Sequence, residues 1–206
     1  AFEKMKNLLK IFLFRLSSYS YGCKVTEIVL YLRRLFIKMY GLVDCDNCFV
    51  SCERVFRPDL EKHPVVVLSN NDGCVISRSN EAKNIGIRMG MPYYQMREQY
   101  TEKEVTAFSS NYELYGDMSS RIMNILREEA PVVMQYSIDE AFLDIHGMEN
   151  INLKDWGEKL SSKILKFVGM PVSIGIAKTK TLAKVARKKE KKYQGYNKCC
   201  YIDTDE

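Results

Sequence analysis

Val132-Val-Met-Gln-Tyr-Ser-Ile-Asp-Glu-Ala-Phe-Leu-Asp-Ile145 is the stretch whose reading decides the fold. Two short runs rich in β-formers flank Ser137, Asp139 and Glu140, the pattern of a hairpin with acid at its tip. Adjacent carboxylates repel each other. Holding them beside buried strands calls for a compensating cation, and hard divalent metals such as Mg²⁺ take oxygen ligands of this kind. A third carboxylate would complete such a site, and its best source is the other apolar strand that ends in acid, Gly41-Leu-Val-Asp-Cys-Asp46. A solvated turn and an ordinary strand end read the same way in isolation, so the neighbouring sequence has to decide.

The charge of the chain is divided in a way that its sum conceals. The 206 residues carry a formal net charge of +5, yet residues 1–38 hold eight Lys/Arg against two acids, residues 39–177 fourteen against twenty, and residues 178–192 eight against one. An acidic body with a basic stripe suits a nucleic-acid enzyme, with acid for metal and base for phosphate; a solvated Lys-rich helix gives the same count. At 46% hydrophobic the chain can bury the core of one or two domains. Its seven cysteines, an odd number without a secretory signal pattern, read as reduced thiols of a cytoplasmic protein. Cys45, Cys48 and Cys52 have a C-x₂-C-x₃-C spacing. No second pair matches it, however, and the chain has only two histidines, so buried thiols are expected rather than a zinc or iron–sulfur centre. Apolar runs between residues 8 and 37 are interrupted by charges such as Lys10, Arg15 and Arg33, which leaves no membrane span there.

Residues 1–38 alternate basic with aliphatic or aromatic residues and lack cap or turn logic. Met39 precedes the first convincing strand and is expected to be the natural start, with the residues before it an N-terminal extension outside the native fold. Strands are predicted over Tyr40–Asp46, Pro64–Ser69, Cys74–Ser77, Val105–Ser109, the acidic hairpin, Val172–Ala177 and Cys199–Ile202. Asn70-Asn-Asp-Gly73 carries an Asp-Gly turn signal. Helices are predicted over Cys48–Phe56, around Glu81–Lys83 with Ser79 as cap, around Tyr94–Gln99, over Asn111–Glu129, over Asn152–Val168 and over the basic segment Thr179–Lys192. The sum is an α+β protein with a mainly antiparallel sheet backed by helices.

At this point the residues resemble the Y-family translesion DNA polymerases, and most closely their UmuC subfamily. The resemblance rests on Asp44-Cys-Asp-Asn-Cys-Phe-Val-Ser-Cys-Glu53, Val65-Val-Val-Leu-Ser-Asn-Asn-Asp-Gly-Cys-Val-Ile76, Glu81-Ala-Lys83, Phe108-Ser-Ser-Asn-Tyr-Glu-Leu-Tyr115, Tyr136-Ser-Ile-Asp-Glu-Ala-Phe142 and Lys180-Thr-Leu-Ala-Lys184, in the family's order over residues 39–206. It implies a polymerase palm, a ferredoxin-like antiparallel sheet backed by helices, from residues 39–57 and 110–192. Small inserted fingers would occupy residues 58–109. Residues 193–206 would hold the last strand, the chain ending before a thumb and a further DNA-gripping domain, so that it reads as a fragment of weak or no activity.

The resemblance further implies template-directed transfer of a dNTP to a primer 3′ end with two Mg²⁺ ions. Asp44 and Asp139 would bridge both ions, Glu140 would hold the one that activates the primer hydroxyl, and the Cys45 carbonyl would complete the other. Phe49 stands at the steric-gate position, where an aromatic edge excludes a ribose 2′-hydroxyl; the family more often has Tyr there. Cys48, Asn80, Lys83 and Lys184 fall at nucleotide-binding positions, Asn80 where relatives often carry Tyr, and Cys74 and Ile76 where residues roof the nascent base pair. Packing or solvated positions would read the same for each residue taken singly. DNA damage tolerance in the SOS response, with a primer-template, a processed UmuD dimer, a RecA filament and the sliding clamp as partners, follows from the resemblance alone. Two rival readings remain: a palm-type nucleotide cyclase, and a non-catalytic nucleic-acid-binding or partner-docking module on a palm scaffold.

Overall fold

Strand and helix patterns along the chain sort into two sheets and the helices that cover them. The computed structural model describes residues 38–148, 150–192 and 195–203; the N-terminal extension expected over residues 1–38 lies, but for Lys38, outside them. The elements are β1 (Tyr40–Cys45), α1 (Cys48–Phe56), β2 (Val65–Leu68), β3 (Val75–Arg78), α2 (Asn80–Asn84), α3 (Tyr93–Gln99), β4 (Thr106–Phe108), α4 (Tyr112–Glu129), β5 (Val132–Gln135), β6 (Glu140–Asp144), α5 (Leu153–Val168), β7 (Val172–Ala177), α6 (Lys180–Lys192) and β8 (Cys199–Ile202). The larger sheet has the order β5-β6-β1-β7-β8, the smaller β3-β2-β4. In the larger one every pairing is antiparallel except β7 with β8.

The period-two alternation of β1, β6 and β7 gives the large sheet two faces of different character. Val43, Ala141, Leu143, Ile174 and Ile176 point to one face and join Met118, Ile122 and Leu126 of α4 and Leu160 and Ile164 of α5 in the main core. Leu42, Phe142 and Ala177 point to the other, where they pack with Ala183 of α6. Asp44 and Glu140 lie on this second face and are direct partners across the β1–β6 ladder. The helices start where capping side chains meet orphan amides. The Asn111 side chain accepts from Leu114 N–H at 3.1 Å, and that of Asn152 from Lys154 and Asp155. Ser79, predicted as a cap, accepts from Ala82 N–H at 3.1 Å.

The smaller sheet has its own core of Val66, Leu68, Val75, Ala82, Ile87, Met96 and Val105. Val65 and Val67 of the same strand instead join the main core. The two lobes are further tied by the Arg54–Glu81 ion pair at 2.8 Å. The β2–β3 turn differs in detail from its Asp-Gly signal. Left-handed backbone falls on Asn71 (φ 64°) and Asp72 (φ 53°), whereas Gly73 has φ −75°. A register shift at Val67/Leu68 displaces the turn, and short Asx side chains tolerate the left-handed region.

Gly175 sets how closely α6 sits on the sheet. A Cβ there would run into the Ala183 carbonyl and the Arg187 amide, both backbone atoms that cannot swing away. Gly175→Ala should therefore push α6 off β7 and cost about 1–3 kcal/mol of stability, as overpacking generally does, measured by urea unfolding. A variant as stable as the parent would show that the contact is loose.

Candidate active site

The carboxylate tip is held by its backbone from two sides. Cys45 N–H donates to the Asp139 carbonyl at 2.9 Å, and the Ser119 hydroxyl on α4 donates to the Ile138 carbonyl at 2.6 Å. The Ser137 hydroxyl donates to Asp139 Oδ1 at 2.6 Å and accepts from Glu140 N–H at 2.9 Å, so the turn orients its own acid. On the neighbouring strand Asp44 is 4% exposed, and the chain then turns into α1 through Asn47, whose φ of 49° is one that Asn accommodates.

Between this edge and the smaller sheet lies a cleft of about 280 Å³ lined by, among others, Asp44, Cys45, Cys48, Phe49, Asp139, Lys83, Ile76, Arg187 and Lys191. Seven of the residues singled out in the sequence thus share one cavity wall. Glu140, Lys184, Asn80 and Cys74 do not line it. Glu140 stands across the ladder from Asp44 with Lys184 Nζ at 3.5 Å. That ammonium also lies 4.3 Å from the centre of the Tyr136 ring. Asn80 Oδ1 accepts from Asn47 at 3.1 Å and from Lys83 at 3.3 Å, while Lys83 Nζ donates to Asn47 Oδ1 at 2.5 Å. Burial first, then the nearby Lys191 and Arg78 charges, lower the Lys83 ammonium below its ordinary value. The Cys74 sulfur lies 3.6 Å from the Ser69 hydroxyl.

Phe49 is fixed by aromatic packing. Its ring stacks on Tyr115 at 4.5 Å and 12°, and meets the Tyr112 edge at 5.9 Å. The fully buried Tyr115 in turn donates to Glu53 Oε1 at 2.7 Å. Cys45, Cys48 and Cys52 are free and buried. Cys48 is the acidic member, its thiol lowered by hydrogen bonds first to Cys45 and then to Cys52.

Sequence reasoning missed the cations that meet Asp44 and Asp46. Arg187 pairs with Asp44, and Lys191 Nζ lies 2.9 Å from Asp44 Oδ1 and 2.7 Å from Asp46 Oδ1. Lys198 reaches Asp46 Oδ2 at 2.9 Å, and the Ser173 hydroxyl lies 2.9 Å from both Asp46 oxygens. A signal was present: Ala183, Arg187 and Lys191 are four residues apart, so the two cations continue the stripe of a small buried residue. As to metal, no three His, Cys, Asp or Glu side chains among the described residues gather into a ready cage. The donors that line the cleft are nevertheless hard oxygens, and the nearly sealed Asp44 already draws two positive charges to itself. That chemistry fits a divalent ion of the Mg²⁺ type.

Solved structures of DNA polymerases align with this fold. The insertion ternary complex of Dbh DNA polymerase aligns with a TM-score of 0.72 and 28% identity over 81% of this chain and 49% of that one. DinB from Sulfolobus solfataricus aligns with 0.70 and 29% over 80% and 48%. The fold is the α+β palm of Y-family polymerases, with the smaller β3-β2-β4 sheet inserted. Among curated relatives, Protein UmuC from Salmonella typhimurium is 52% identical over 157 residues, 76% of this chain and 37% of its own length. DNA polymerase IV from Dehalococcoides mccartyi is 33% identical over 153 residues, 72% and 39% respectively. Residues 43–188 match the impB/mucB/samB family, and the chain belongs to it. It spans less than two fifths of these curated relatives and about half of the solved chains.

Asp46 carries a pH dependence. Burial alone would raise its carboxyl, but Lys191 and Lys198 outweigh that and hold it below its usual value. Ionised Asp46 therefore stabilises the fold above the ordinary carboxylate range, and the contribution is lost as pH falls from about 4 through the depressed value. Asp46→Asn should cost about 1–3 kcal/mol at neutral pH, the gap to the parent closing in acid, as read from urea unfolding at several pH values. A gap that persists in acid would contradict this.

Proposed function

We propose that the chain is the palm-and-fingers part of an error-prone, translesion-type DNA polymerase, residues 39–57 and 110–192 forming the palm and residues 58–109 the fingers. The observation that carries the reading is one cleft lined at once by two carboxylates, an aromatic wall and cations, in a chain whose family includes UmuC and whose solved relative is a polymerase ternary complex. Phosphoryl transfer requires reacting oxygens in line and neutralisation of the charge that spreads over the phosphate.

Asp44, Asp139 and the Cys45 carbonyl would hold the divalent ions on the cleft wall, with Glu140 contributing from the neighbouring strand position. Bound there, two Mg²⁺ ions supply charge neutralisation and a more acidic primer hydroxyl. Lys83, tethered to Asn47 and Asn80, is placed to meet phosphate oxygens from the smaller lobe. Lys184 serves the same charge from α6, near its N-terminal half, where anions are favoured. Cys48 adds to the nucleotide side of the wall. Phe49, stacked on Tyr115, presents a rigid edge that excludes a 2′-hydroxyl by volume. Ile76 faces the same space from the smaller sheet, where it would cover a nascent base pair. In the whole protein the reading extends to SOS damage tolerance in the cytoplasm, on a primer-template, with a processed UmuD dimer, a RecA filament and the sliding clamp as partners. No helix among the described residues is long and apolar enough to cross a membrane.

Single-nucleotide primer extension at high protein concentration and low salt tests the reading. Extension should require Mg²⁺, follow the template base and vanish in Asp139→Ala/Glu140→Ala. Phe49→Ala should add ribonucleotides more readily relative to deoxynucleotides. Extension that survives loss of both carboxylates would overturn the assignment.

A further inference from the structure

Helix α6 aims part of its charge inward. Ala183 is fully buried, and Arg187 and Lys191 follow it on the same stripe at intervals of four residues. Gly175 beneath lets the helix approach until its backbone at Ala183 and Arg187 lies where a Cβ would be. The side chain of Arg187 is 18% exposed and pairs with Asp44 Oδ1; Lys191 Nζ lies 2.9 Å from that same oxygen.

Two features mark this as a provisional pairing rather than a finished one. An arginine and a carboxylate ordinarily meet as two forks, with parallel N–H···O bonds. Here one oxygen is shared by two cations, and the buried Arg187 Nε has no hydrogen-bond partner. Leaving a buried donor unmatched costs free energy that a better acceptor would recover. The cleft that Arg187 and Lys191 line is open to an anion, and Lys83 stands on its wall as well.

We infer that Arg187 and Lys191 are exchangeable counter-ions of Asp44: they compete with a divalent cation for that carboxylate and, once displaced, contact the polyphosphate of a nucleotide in the same cleft. The inference rests on the proposed nucleotidyl-transfer reading. Arg187 and Lys191 neutralise Asp44 in the unliganded chain, which keeps a buried charge compensated. They also lower the apparent affinity of Asp44 for metal. A nucleotide that accepts them on its phosphates relieves the competition, so metal and nucleotide bind with positive coupling.

Mn²⁺ binding to the whole chain without nucleotide, followed by the paramagnetic resonance of the free ion, tests this without any turnover. Arg187→Gln and Lys191→Ala should each bind Mn²⁺ about 5-fold tighter or more, the low end of ordinary site-to-site coupling. Asp44→Asn should abolish binding, and Asp44→Asn/Arg187→Gln should recover none of it. Lys191 is a third exposed, so its variant keeps the test open should Arg187→Gln fail to fold. Unchanged or weaker Mn²⁺ binding in the folded variants overturns the exchange. If Asp44→Asn still abolishes binding in that case, the metal reading stands and only the exchange fails. Mn²⁺ binding indifferent to Asp44→Asn sinks both.

Discussion

Two carboxylates face each other across one antiparallel ladder, Asp44 on β1 and Glu140 on β6, on the sheet face that also carries Leu42, Phe142 and Ala177. Like charges directly opposite destabilise a sheet, and more so where one is almost sealed from water. The arrangement persists because a single helix brings three cations to it at i, i+3 and i+7: Lys184 to Glu140, Arg187 and Lys191 to Asp44. That match depends on the helix lying close, which depends on a residue without a side chain at position 175. The charge problem, the helix and the glycine are parts of one solution.

The same geometry makes the site. Antiparallel pairing fixes which residues share a face, so the apolar core behind the sheet and the acid in front of it follow from one alternation. The Cys45 amide and the Ser119 hydroxyl anchor the backbone of the hairpin tip, and the smaller lobe closes the other side of the cleft through Lys83 and Ile76. An acidic wall that already attracts cations, beside a rigid aromatic edge, is suited to polyphosphate chemistry and ill suited to binding DNA phosphates without metal.

Much of this was legible in the sequence because the signals were local. The strands at Val172–Ala177 and Cys199–Ile202 and the helix at Cys48–Phe56 occupy the spans that period and punctuation predict. Asp44, Asp139 and Phe49 stand on one cleft as their motifs suggest. What could not be read was which charges meet across the chain. Arg187 and Lys191 look like two more members of a solvated basic helix until the register of β7 and the approach at Gly175 turn their stripe toward Asp44. The contact of Cys74 with the Ser69 hydroxyl also depends on the irregular register of the β2–β3 pair. Motif spacing carries no information on that register.

Calorimetry of dNTP binding to the chain, with and without Mg²⁺, addresses the central claim most directly, since it needs neither DNA nor turnover. Binding should require Mg²⁺ and be lost in Asp44→Asn and in Asp139→Asn. dNTP binding that is as tight without the ion, or that survives both substitutions, would contradict a carboxylate-held metal site in this cleft.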